Sequence, residues 1–128
     1  MVNCLKHGNV TKKIIDAFFK VYNKLGFGFL ENVYERAMIF EMGRNGLVCS
    51  RQLPVSVLYE GVNVGNYFAD IVVSESVILE IKAANALCED YERQLINYLK
   101  ATDIEVGLLL NFGTTPEFKR KVFTNRHS

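Results

Sequence analysis

The chain has 128 residues, a formal net charge of +1, 49% hydrophobic residues and 23% charged residues. That length suits one domain, residues 1–128, able to bury a real core, and the near-neutral balance excludes the global positive field of a nucleic-acid coat. No apolar run approaches the ~18 residues of a membrane span, and the N-terminus M-V-N-C-L-K-H-G-N-V lacks the apolar core of a secretory signal.

Cys4, Cys49 and Cys88 are scattered and form no Cys-x-x-Cys pair. Reduced thiols in a cytoplasmic protein fit this better than disulfides or a zinc site. Lys12 and Lys13 read as a solvated face. Lys119, Arg120, Lys121 and Arg126 are either a phosphate-tracking patch or a polar chain end.

In chain order, Ile14, Ala17, Phe18, Val21, Tyr22 and Leu25 recur at helical spacing. They predict a helix over residues 10–25, with Thr11 able to cap its start and Gly26 suited to its end. A second helix is predicted over residues 31–44, with Val33, Tyr34, Ala37, Met38, Phe40 and Met42 as its apolar positions. Between them, L-G-F-G-F-L-E is not G-x-G-x-x-G, and no G-K-[ST] follows, so a nucleotide loop is a poor reading. It reads as a positioning turn: Gly28 permits positive φ, Phe27 and Phe29 can anchor in the core, and Glu31 opens the next helix.

Residues 47–53 read as a strand, with Pro54 marking an edge or a bulge. Residues 55–59 and 62–66 flank Glu60-Gly61, a tight-turn signal. Residues 67–73 and 77–82 flank Ser74-Glu75-Ser76. A third helix follows over residues 87–101, with Cys88, Tyr91, Leu95, Tyr98 and Leu99 on one face. Residues 104–111 read as a buried strand, and Thr114-Thr115-Pro116-Glu117 as a short helix start. The order ααββββαβ makes the chain α/β or mixed α+β.

The hairpin over residues 67–82 carries the chemistry. A three-residue loop puts Val73 opposite Val77 and Asp70 opposite Glu80. Side chains alternate faces along a strand, so Ala69, Ile71, Val73, Val77, Leu79 and Ile81 then share an apolar face. Asp70, Glu80 and Lys82 fall on the other face with Phe68, Val72 and Ile78. Two like charges directly opposite each other are destabilising. A divalent cation, a raised pKa or the Lys82 ammonium must compensate. Carboxylates on adjacent strands suit Mg²⁺ or Mn²⁺, which bind through one or two carboxylates plus water and substrate phosphate. Glu-x-Lys alone is more often a solvent-facing ion pair, and the register adds Asp70 to it.

Ala69-Asp70 followed by Glu80-Ile81-Lys82 resembles the P-D…(D/E)-x-K signature of the restriction-endonuclease-like nuclease superfamily, with alanine in place of proline. Gly28-x-x-Glu31-x-x-Tyr34 resembles the motif that names the small GxxExxY family within it. The resemblance implies a central mixed sheet flanked by helices. It implies Asp70 and Glu80 as metal ligands, with Glu31 as a further acidic residue at the metal, and Lys82 as the residue that positions or activates the attacking water. Gln94-x-x-x-Tyr98 is similar to a Gln-x-x-x-Tyr motif in exonuclease-like members, which makes Gln94 a further site residue.

Each has a plainer role open to it. Glu31 suits a helix dipole, Gln94 could bond a buried backbone group, and Tyr34 and Tyr98 could be core aromatics. His7 and His127, near the ends, read as incidental. The leading expectation is a Mg²⁺-dependent phosphodiester hydrolase acting on nucleic acid, DNA above RNA, with any base specificity coming from a homodimer or a protein partner. The rivals are a non-catalytic interaction module that keeps the fold and a hydrolase of small phosphoesters.

Overall fold

A computed structural model describes residues 6–124; Cys4, Arg126 and His127 lie outside that range. The elements in order are α1 (Gly8–Leu25), α2 (Glu31–Arg44), β1 (Cys49–Tyr59), β2 (Val62–Val73), β3 (Val77–Lys82), α3 (Glu89–Lys100), β4 (Val106–Phe112) and β5 (Pro116–Val122). The strands form one mixed sheet in the order β1-β2-β3-β4-β5. β3 and β4 are parallel, joined through α3, and the other neighbours are antiparallel. This is the expected mixed sheet flanked by helices.

Each face of the sheet has its own core. Ile14, Phe18 and Val21 of α1 and Tyr34, Met38 and Met42 of α2 pack on Ile71, Val73, Leu79, Ile81, Leu108 and Leu110. Leu95 and Leu99 of α3 pack on Val72, Ile78, Leu109 and Ala69 from the other side. α3 comes so close to β4 that a Cβ on Gly107 would lie 2.7 Å from the Leu95 side chain.

Several local expectations are corrected. Thr11 does not cap α1: it is buried in the first turn, and its hydroxyl donates to the Gly8 carbonyl at 3.1 Å. Phe27, Phe29 and Phe40 are 59%, 47% and 67% exposed, so none is a core residue. The turn before α2 is anchored instead by Tyr34. Its ring stacks on Phe112 (4.1 Å, 12°), and its hydroxyl donates to the Gly26 carbonyl at 2.8 Å and accepts the Phe29 N–H at 3.2 Å. Gly28, at φ 110°, takes a conformation closed to other residues.

The strands expected over residues 47–53 and 55–59 are one strand, β1, and those over 62–66 and 67–73 are one strand, β2. Pro54 is accommodated because β1 is an edge of the sheet. Glu60 and Gly61 turn the ribbon, both with positive φ. Residues 114–117 start no helix. Pro116 opens β5, which pairs with β4 in the register Phe112↔Pro116 through Val106↔Val122. Non-local pairing with an apolar central strand overrides the local helix signal there.

Candidate metal and phosphate site

The hairpin register is the one the sequence implies: Val73↔Val77, Val72↔Ile78 and Ile71↔Leu79. Pairing by the backbone stops there. One residue further on, the Asp70 N–H donates to Glu80 Oε2 at 3.1 Å, and the Ile81 N–H donates to Asp70 Oδ2 at 2.8 Å. The two carboxylates have taken over contacts that ladder carbonyls would otherwise make. Each is thereby fixed by its partner strand.

The same row turns the β1–β2 ribbon over. Cys49 packs with the α1–α2 side, whereas Leu53 and Val55 pack with the α3 side. An even spacing should keep residues 49 and 53 on one face. On β2, Ile71 and Ala69 likewise fall on opposite sides, so Ala69 leaves the apolar face expected for it. Gln52 sits between the pairs Arg51↔Ile71 and Leu53↔Ala69, opposite Asp70, with φ 55°. A non-glycine residue in that region absorbs the reversal locally. Phe68 is also displaced from the carboxylate face and is 58% exposed.

Glu80 is 6% exposed. Burial, and then the charge of Asp70, push its carboxyl up to about 8, against the lowering effects of the Asp70 N–H and Lys82. Burial raises Asp70 to about 6; the Ile81 N–H opposes this, while Glu35 and Glu31 add to the rise. Lys82 lowers both carboxyls through its charge, yet no ion pair closes between it and either of them among the described residues. Its ammonium lies over the Tyr91 ring, 4.7 Å from the centroid.

α3 walls the site. Tyr98 stacks on Tyr67 at 3.8 Å and 18°. Burial first, then the charges of Glu80 and Asp70, push the Tyr98 hydroxyl up to about 12. Tyr67 is raised by burial and by Tyr98 and Glu80. Gln94 is exposed and lies between Tyr91 and Tyr98 on one helical stripe. It makes no hydrogen bond among the described residues, so it is not tied to a buried backbone group.

Glu31 is exposed at the start of α2, and its charge reaches Asp70. Glu35, which the sequence reading passed over, lies one turn further into the fold. It is 6% exposed, and its charge acts on both Asp70 and Glu80. Its Oε1 accepts Arg51 Nε at 3.1 Å and Gln52 Nε2 at 3.3 Å, tying α2 to the strained residue opposite Asp70. The signal for it was present: Glu31 and Glu35 are four apart on one helix face.

The donor chemistry fits a hard divalent cation. Asp70 and Glu80 each commit one oxygen to a backbone N–H and keep the other for a ligand. No group of three or more His, Cys, Asp or Glu side chains suited to a metal occurs among the described residues. Two carboxylates plus water are a ligand set that Mg²⁺ accepts.

A family model described as the PD-(D/E)XK nuclease superfamily matches residues 8–122. No curated protein and no solved structure matches the chain. No helix among the described residues is long and apolar enough to cross a membrane.

Proposed function

Because the chain belongs to the PD-(D/E)XK nuclease superfamily, we propose that it is a divalent-metal-dependent phosphodiesterase acting on nucleic acid, DNA before RNA. We take residues 1–128 as one nuclease-like domain of the GxxExxY type. The observation that carries this reading is the Asp70–Glu80 pair: two carboxyls held together in a largely buried place, with no cationic side chain among the described residues in an ion pair with either. Their backbone hydrogen bonds hold both in place, but like charges across a hairpin cost stability, and a bound cation would offset that cost.

Asp70 and Glu80 would hold Mg²⁺ or Mn²⁺, with Glu31 reaching the ion through water. When bound, the cation would acidify water and offset the charge of the scissile phosphate. Lys82, resting on Tyr91 within reach of the pair, would hold the attacking water and stabilise charge growing on the phosphate oxygens. Gln94, exposed on α3 one turn after Tyr91, would orient the same water. Glu35 would keep the Gln52–Asp70 row in shape through Arg51 and Gln52.

Purified protein with Mg²⁺ or Mn²⁺ should cut at least one of plasmid, single-stranded, branched and RNA substrates, and EDTA should stop it. Absence of cleavage on all of them would leave the second reading, a non-catalytic interaction module. That reading has its own support. Leu58, Tyr59, Val62 and Val64 are 59–68% exposed at the tip of the β1–β2 ribbon, an apolar surface suited to a second copy or a protein partner.

A further inference from the structure

Beside the carboxylate pair the molecule has a groove of about 720 Å³. One wall is the part of the β1–β2 ribbon that extends past the sheet, with Ser56, Val57 and Tyr67. The other is the C-terminal half of α3, with Asn97, Tyr98 and Lys100. The Tyr67–Tyr98 stack belongs to the groove lining and packs in the same cluster as Ala69, next to Asp70, and Ile78, two residues before Glu80. The groove and the carboxylates therefore share a wall.

We propose that this groove binds an unpaired nucleotide of the substrate next to the scissile phosphate, so that the site selects nucleic acid with a single-stranded segment. The proposal rests on the nuclease reading and adds a substrate class to it.

The lining matches a base and its phosphate part by part. The tyrosine pair and Val57 offer flat and apolar surface, and any base can stack there. Asn97 carries both a donor and an acceptor for a base edge. Lys100, exposed on the last turn of α3 and 5.8 Å from the Phe123 ring, supplies the cation for a phosphate. Asp103, three residues beyond Lys100, also lines the groove and disfavours phosphate at that end, so the phosphate would lie toward Lys100.

Stacking makes the selection. A base can lay its face on the tyrosine pair only when that face is free, as in an unpaired strand, whereas in a double helix the neighbouring base pairs cover it. A double helix could touch the rim, but its bases would stay outside.

The test uses the full chain carrying Lys82→Ala, which should slow cleavage about 10²–10³-fold, in Mg²⁺. Its ligands are single-stranded and duplex oligonucleotides, as DNA and as RNA, with 2-aminopurine as a fluorescent base. Single strands should bind more tightly than duplex, and binding should quench 2-aminopurine by stacking. Adding Lys100→Glu should weaken single-strand binding about tenfold, and Asn97→Ala about threefold; both positions are exposed, and melting curves check that the fold is kept. Duplex binding should change little. Single-strand binding that neither substitution alters, or duplex bound as tightly as single strand, overturns the proposal and leaves the nuclease reading standing. No binding of any nucleic acid removes both.

Discussion

Glu41 on α2 and Glu80 on β3 are buried to the same degree, 7% and 6% exposed, in quite different company. Glu41 has Lys20 Nζ at 3.3 Å and Arg44 at 3.6 Å, two cations that link it to α1 and to its own helix. Glu80 has another carboxylate beside it, two backbone N–H groups shared between them, and an ammonium that rests on Tyr91 instead of pairing. Removing a charge from water is unfavourable, and a cation nearby offsets that. At Glu41 the fold supplies the cation. At Glu80 it withholds one, which leaves the offset to something that binds. Glu35 is intermediate: buried and paired with Arg51, yet close enough to raise both site carboxyls.

The largest effect expected from this contrast is kinetic. Lys82→Ala should lower cleavage about 10²–10³-fold, as losing one group that stabilises transition-state charge does, with little change in melting temperature or in the response to Mn²⁺. Lys20→Ala, at the other carboxylate, should leave the cleavage rate alone. Equal losses would mean that both act through general stability, and the contrast would fail.

Next comes pH. Both site carboxyls are raised on folding, Asp70 to about 6 and Glu80 to about 8. Between their unfolded values near 4 and those folded values, the folded chain holds more protons than the unfolded one. Stability is then fully present below about pH 4 and is lost as pH rises through 6 to 8, by an amount on the order of a few kcal/mol. Urea melts in EDTA from pH 4 to 9 measure the slope, and Glu80→Gln should flatten it. A metal-free stability that rises over this range would sink the account of the site as an uncompensated pair.

Some of this was legible from residues alone, and the reason is physical. The loop Ser74-Glu75-Ser76 and the alternating apolar set fix the register on each side of the hairpin, so Asp70 and Glu80 fall together without further information. The reversal at Gln52 and Asp70 was not legible. It depends on two N–H groups leaving the ladder for side chains, and no local pattern encodes that. The β5 strand was missed because its pairing with β4 is non-local. Glu35 was missed although it shares a helix face with Glu31, because a helix carboxylate usually faces water and its burial shows only in the packed α2. The Tyr34 of the Gly-x-x-Glu-x-x-Tyr motif serves the turn that delivers Glu31: its hydroxyl ties Gly26 to Phe29.

Metal should separate the two regions with a smaller effect. A ligand that binds only the native state stabilises it by about 2.7 kcal/mol at a hundred times its dissociation constant, so the wild type should gain melting temperature on adding Mn²⁺. Asp70→Asn should gain much less. Without metal, above about pH 8 where both carboxyls are ionised, it should be at least as stable as wild type, because relief of a like-charge cross-strand pair is worth ~0.2–1 kcal/mol. Equal metal responses in the two proteins would remove Asp70 from the site.

The smallest effect tests the paired carboxylate, and its sign is what matters. Lys20 is 57% exposed and Arg44 58%, so each ion pair to Glu41 is partly screened by water and worth at most ~1 kcal/mol. Lys20→Ala should therefore destabilise by about 0.5 kcal/mol, with Arg44 still in place to hold the charge. Glu41→Gln should cost more than Lys20→Ala, since it leaves both cations without their partner and keeps the same buried volume. Both changes act in the direction opposite to metal-free Asp70→Asn, although Glu41→Gln and Asp70→Asn are the same chemical operation, a buried carboxylate turned into an amide. Neither should alter the gain on adding Mn²⁺. Thermal melts of the three variants with EDTA and with Mn²⁺ compare them directly. If Glu41→Gln stabilised the metal-free chain as Asp70→Asn should, the presence of a cation partner would not be what distinguishes the two carboxylates. The site would then need to be defined by something other than its missing positive charge.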